Sequence, residues 1–178
     1  MEAHSNLFKE IKSEFPNNKM KFTLFMKYFV SNPKFRLMLN YRIGKFFFGS
    51  RYFVIRQIGL LLRARMIVKR GCDISYRAQI GVNLKLPHPL GIVIGDGVVV
   101  KDNVQIFQNV TLGSHGRKGD ALEYPIIESG AKIYAGAKII GGVTIGANAI
   151  IGANAVVNID VPPSTTAVGI PCRIIKHQ

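Results

Sequence analysis

Residues 84–96 read LKLPHPLGIVIGD and hold one histidine, His88, clamped between Pro87 and Pro89. An imidazole can take the proton from a hydroxyl as that oxygen attacks a carbonyl, a service worth about 10²–10⁴-fold in rate. A second histidine, His115, lies in the Gly-rich stretch GSHGRKGD, where a solvated loop side chain is the simpler reading. Of the other two, His4 lies near the start and His177 next to the end. No serine or cysteine stands with a paired base, so a covalent acyl-enzyme is not expected. Cys72 and Cys172 are 100 positions apart and fit neither a zinc spacing nor a disulfide framework, so no metal is expected. The glycines form neither a phosphate loop nor a dinucleotide fingerprint.

The elements that must position His88 show in a beat of six. Ile74, Ile80, Leu86 and Ile92 form one run, and Ile94, Val100, Ile106 and Leu112 a second. Ile127, Ile133, Ile139, Ile145, Ile151 and Val157 form a third. Four residues after each anchor stands a small or aliphatic residue, with Gly, Asn or Asp between. This period fits neither a helix nor a plain strand. It fits a β-helix of hexapeptide units, each a short strand and a corner, stacked into a column. The beat slips twice: by two residues after LPHPLG, and by a longer gap that ejects a loop near 113–126. Insertions in a solenoid often carry function, and each slip contains a histidine.

The stretches CDISYRAQIG, LPHPLGIVIGDGVVVKDNVQIFQNVTLG and IPCRII resemble the hexapeptide acyltransferases, most closely the serine acetyltransferase branch. NPKFRLMLNYRIGKF resembles that branch's helical lead-in, so the likeness runs from about residue 33 to 176. The resemblance implies a mainly β protein: a left-handed parallel β-helix over 73–178, preceded by an α-helical region over 1–72. It implies homotrimers, with acetyl-coenzyme A in the groove between neighbouring columns. It places the catalytic base on His88 and an acidic partner on Asp73, fifteen residues earlier. Such a partner fixes the imidazole tautomer. For the cofactor it points to Gly113 and Ser114 at the loop mouth and to Ala135 and Ala153 beside the pantetheine. Lys132, Lys138, Arg173 and Lys176 are candidates for its phosphates. Tyr124, Asp96 and His115 are candidates for the acceptor.

Two departures bear on the acceptor. Pro87 stands where the branch carries an aspartate that contacts the amino acid. Glu123 and Tyr124 stand where it carries Arg-His. The expectation is therefore O-acetylation of a sugar hydroxyl of a surface polysaccharide or its precursor. Serine O-acetylation is the alternative, and a non-catalytic binding or assembly module is the alternative of another class.

The charge of +14 is uneven. Residues 1–72 carry 15 Lys/Arg against 3 Asp/Glu, and residues 73–178 carry 9 against 7. Asn32–Pro33 reads as a helix start, Gly49–Ser50 as a break and Gly71 as an end. The second helix alternates Arg56, Arg63 and Arg70 with Phe53, Leu60, Leu61, Ile67 and Val68, too charged to span a bilayer. Two readings of it stand: a peripheral contact with an anionic membrane, or an apolar face packed on the column or on a neighbouring subunit. With no signal-like start, the expected location is cytoplasmic, with the membrane's inner face as the peripheral site under the first of these readings. Nothing suggests a nucleic-acid reader.

Overall fold

The computed structural model describes residues 2–15, 19–116 and 123–175, with the side chains of residues 2–6 excepted. The chain divides into two compact units, Met1–Gly71 and Cys72–Gln178.

The first unit is helical: α1 (Glu2–Lys12), α2 (Phe22–Ser31), α3 (Pro33–Phe48) and α4 (Phe53–Arg70). The Asn32 side chain caps α3 by accepting from the Phe35 N–H at 3.0 Å, and Pro33 opens the first turn. Gly71 ends α4 in the left-handed conformation, φ 59°. α3 and α4 pack as a hairpin because Gly59 lets them meet: a Cβ there would lie 2.8 Å from the Phe48 nitrogen. Phe15, Phe35, Leu37, Met38 and Tyr41 form the core. Arg42 is buried, 2% exposed, and Glu10 (2.7 Å) and Glu14 (3.4 Å) neutralise it; Lys34 also reaches Glu14 at 3.1 Å. Two of these helices, α1 and α2, carry no start signal comparable to Asn32–Pro33.

The second unit is the expected left-handed parallel β-helix, a column with three sheets. The first sheet stacks β1 (Asp73–Ile74), β3 (Val93–Ile94), β6 (Thr111–Gly113), β9 (Lys138–Ile140) and β12 (Val156–Val157). The second stacks β2 (Gln79–Ile80), β4 (Val99–Val100), β7 (Ile126–Ile127) and β10 (Thr144–Ile145). The third stacks β5 (Gln105–Ile106), β8 (Lys132–Ile133), β11 (Ile150–Ile151) and β13 (Thr166–Val168), closed by the antiparallel β14 (Arg173–Ile175). Anchors such as Ile94, Ile106, Leu112, Ile127 and Ile139 fill the axis with at most 1% exposure.

Corners hold the pitch. Asn83, Asn103, Asn109, Asn148 and Asn154 adopt positive φ, and the Asn83 amide donates to Asn103 Oδ1 at 2.8 Å. Asn and Asp tolerate this backbone because a short polar side chain bonds locally. Gly136, φ 75°, lies beneath Asn154, whose side-chain oxygen occupies the space a Cβ would need. Both slips have structural causes. Asp73 pairs with Val93 across a 20-residue coil, while Val93 pairs with Thr111 across 18. The extra two residues are taken up by the corner that carries His88. The second slip is the loop that leaves after β6 and returns at β7.

Candidate active site

His88 sits at the corner between the third and first sheets. Lys85 just before it bridges to Gln105, and β3 follows it. Pro87 and Pro89 remove two backbone donors here, and prolines hold the chain extended. The His88 carbonyl accepts from the Leu90 N–H at 2.8 Å, which tightens the corner. The side chain is exposed.

Asp73 lies against the same corner. Its N–H donates to the Ile92 carbonyl at 2.8 Å, and the neighbouring Cys72 Sγ donates to the Pro89 carbonyl at 3.3 Å. The first coil is thus laid on residues 89–92. The described ring contact of His88 is with Phe107, 6.5 Å between centroids.

Phe107 continues into an aromatic pair absent from the sequence expectations. It stacks on Tyr134 with centroids 4.9 Å apart and planes 14° apart. The signal was present: Phe107 and Tyr134 each follow an anchor, Ile106 and Ile133, and Gln105 pairs with Lys132. Residues at equal offsets in stacked coils form a file. The file runs through Phe107 and Tyr134 to Gly152, since Lys132 in turn pairs with Ile150, and the His88 ring meets it at Phe107. Ala135 and Ala153 stand next to it, joined where the Asn154 N–H donates to the Ala135 carbonyl at 2.9 Å. Small residues beside this file leave room for a slender chain running along the column.

The acceptor candidates gather at a different corner, between the first and second sheets. The Tyr124 ring lies on Gly95 and Gly97: a Cβ at Gly95 would be 2.9 Å from its Cε1. Asp96 between those glycines accepts from the Ser75 hydroxyl and pairs with Arg77 at 3.4 Å. Its carboxylate is therefore engaged within the column. His115 approaches Gly141, and Glu123 covers Gly142, where a Cβ would meet its Oε2 at 2.7 Å. The loop mouth at Gly113 is open, with nothing near a Cβ placed there, and Ser114 follows half-buried. One sheet separates this corner from His88, so the structure does not bring Tyr124, Asp96 and His115 to the histidine within one chain.

The cationic candidates scatter. Lys132 is exposed on β8. Lys138 on β9 donates to the Asn109 carbonyl at 2.6 Å, which brings it to the His88 corner. Arg173 is exposed on β14, and Lys176 lies outside the described residues. Both cysteines are free; Cys72 is buried, and burial raises the Cys172 thiol pKa. Among the described residues no group of three or more His, Cys, Asp or Glu could hold a metal ion.

Residues 124–158 match the family model described as Bacterial transferase hexapeptide (six repeats). The serine acetyltransferase of Salmonella typhimurium is 41% identical over 142 residues, 79% of this chain and 50% of that protein. The solved structure titled Soybean Serine Acetyltransferase Complexed with Serine matches with TM-score 0.78 and 31% identity, covering 97% of this chain and 69% of that one. A structure titled Serine Acetyltransferase- Complex with CoA matches with TM-score 0.76 and 30% identity, over 96% of this chain and 68% of that one. The chain spans about half the length of the curated relatives it matches. These relatives favour the serine alternative over the polysaccharide type expected from Pro87 and Tyr124. Column, corner histidine and relatives agree: the chain belongs to the hexapeptide-repeat acyltransferases, and its relatives within that family are serine acetyltransferases.

Proposed function

We propose that the protein is a cytoplasmic acetyl-coenzyme A-dependent O-acetyltransferase whose acceptor is the hydroxyl of serine. The observation that carries this reading is the likeness to serine acetyltransferases along 97% of the chain, with His88 held at an exposed corner of the shared column. His88 takes the proton of the acceptor hydroxyl as its oxygen attacks the thioester carbonyl. The carbon–sulfur bond then breaks, acetate ends as an ester on the acceptor, and the coenzyme leaves as a thiol with the proton. Backbone N–H groups at the corner are suited to the oxyanion. Asp73 orients the imidazole and fixes its tautomer.

The split between two corners supports a homotrimer. A column presents three faces, and an adjacent copy can set its Tyr124 corner against the His88 file of its neighbour. Ala135 and Ala153, with Gly113 and Ser114 from the loop mouth, then flank a groove for the pantetheine, and Lys138 is placed near its polar end.

A sugar hydroxyl is the second reading, because Tyr134, stacked on Phe107 by one face and 38% exposed, is an aromatic ring of the kind pyranose rings stack on. Product analysis separates the two. Protein incubated with acetyl-coenzyme A, serine and an oligosaccharide panel is expected to yield O-acetylserine. Acetyl ester on the oligosaccharide alone would replace the first reading by the second. No acetylated product from any acceptor would favour a non-catalytic module.

A further inference from the structure

The helical unit holds a groove of about 600 Å³ that the acetyl-transfer site does not use. It lies between α2, α3 and α4. Its floor is apolar, formed by Phe29, Leu39, Ile43, Leu62 and Met66. Four cations line it as well: Arg36, Arg65, Lys69 and Arg70. None of the lining residues is acidic. Glu10 and Glu14 are spent elsewhere, on Arg42 and Lys34.

Arg36 adds an independent sign. Its Nη1 donates to the Val30 carbonyl at 3.2 Å, but its Nε is buried with no hydrogen-bond partner. A buried charged donor without an acceptor is costly, and an anion in the groove would relieve it.

The helices around the groove are also apolar outward. α2 buries no residue and exposes Phe22, Met26, Phe29 and Val30. α4 exposes Phe53 (73%), Val54 (70%), Leu61 (69%) and Val68 (84%). At 100° per residue these four fall within one quarter-turn or so of α4, with Arg65 and Lys69 along one border and Arg56, Arg63 and Arg70 along the other. An apolar stripe bordered on both sides by cations is the pattern of a helix lying in a bilayer interface.

We infer that this groove binds the phosphate headgroup of an acidic phospholipid at a bilayer surface. The guanidinium groups of Arg36, Arg65 and Arg70 and the Lys69 ammonium meet the phosphodiester, and the apolar floor receives the first part of an acyl chain. A second copy of the chain is the poorer occupant. Any surface of the helical unit that it set against the groove would be cationic as well, since that region carries 15 basic and 3 acidic residues. The inference is independent of which hydroxyl is acetylated.

Co-sedimentation of the full-length protein with vesicles tests it. The vesicles are phosphatidylcholine alone, or phosphatidylcholine with phosphatidylglycerol. The protein is expected to pellet with the second and not the first at low salt. The double variant Arg65→Glu with Lys69→Glu changes two exposed side chains and is expected to bind roughly tenfold more weakly or worse. A control of equal charge change in the column, Lys85→Glu with Lys101→Glu, is expected to bind as wild type. No binding to either vesicle overturns the inference, as does equal binding to both. Equal loss in both double variants overturns the groove assignment, leaving only general charge. Displacement from vesicles by inorganic phosphate, at an ionic strength where chloride does nothing, would make the groove a small-anion site instead. A changed oligomer size in the groove variant without vesicle binding would point to a second copy.

Discussion

At the scale of single residues, His88 was legible because it breaks a regular beat between two prolines. Asp73 was reachable only through the family pattern, since an aspartate beside a cysteine at a strand start carries no signal of its own. Tyr124, Asp96 and His115 were named as acceptor candidates, but their shared corner and its separation from His88 were not legible: which corner a residue occupies depends on how a loop re-enters the column. The Phe107–Tyr134 pair was missed because each ring reads as an isolated aromatic until the coils are stacked. It gives a sharp prediction. Tyr134→Ala removes the outer ring of the stack and leaves the column anchor Ile133 untouched. It should raise the KM for any sugar acceptor severalfold, by the loss of about 0.5–1.5 kcal/mol, the order that an aromatic ring contact supplies, with little change for serine. Steady-state kinetics with both acceptors checks this; an equal change for both would show that the ring shapes the coenzyme groove instead.

At the scale of elements, the six-residue beat defined the strands, and capping chemistry defined α3 and α4, because Asn32, Pro33 and Gly71 are local signals with local physics. α1 and α2 were not legible to the same degree, since their order comes from aromatic packing across the unit. Phe15 meets Tyr28 at 5.2 Å and Phe35 at 5.1 Å, contacts that no local pattern announces. The same unit makes a pH prediction. The Lys45 pKa is lowered, chiefly by burial, with Arg42 adding to the effect and Glu10 opposing it. A lysine whose folded pKa lies below its unfolded value costs stability while it must be charged in place. That cost is relieved as pH rises through the folded pKa toward the unfolded one, so the unit should gain stability on going from neutral to alkaline pH. Lys45 is only partly buried, so the slope is shallow. Lys45→Met should flatten it and leave stability at neutral pH equal or higher. Thermal melts of both proteins across that range check the sign, and a steeper slope in the variant would contradict it.

At the scale of the whole molecule, one column places its histidine and its protruding loop at different corners, and the proposed activity accordingly calls for an assembly. Light scattering should report a trimer at micromolar concentration. Mixed trimers of His88→Ala and Tyr124→Ala should recover part of the activity each variant lacks, because a junction pairing one intact corner from each copy is complete; no recovery would mean that the two corners work separately. The column's length and faces were readable from the period, whereas neighbouring copies were expected only through the family likeness, since a repeat fixes what stacks along its axis and says nothing of which corner meets a neighbour. The central claim, that this corner histidine is the base for acetyl transfer to a hydroxyl, is tested most directly by thiol release from acetyl-coenzyme A with saturating serine, comparing wild type with His88→Ala. The predicted result is turnover that falls by about 10²–10⁴-fold in the variant, with the trimer and its melting temperature retained. Turnover unchanged by His88→Ala would contradict the account.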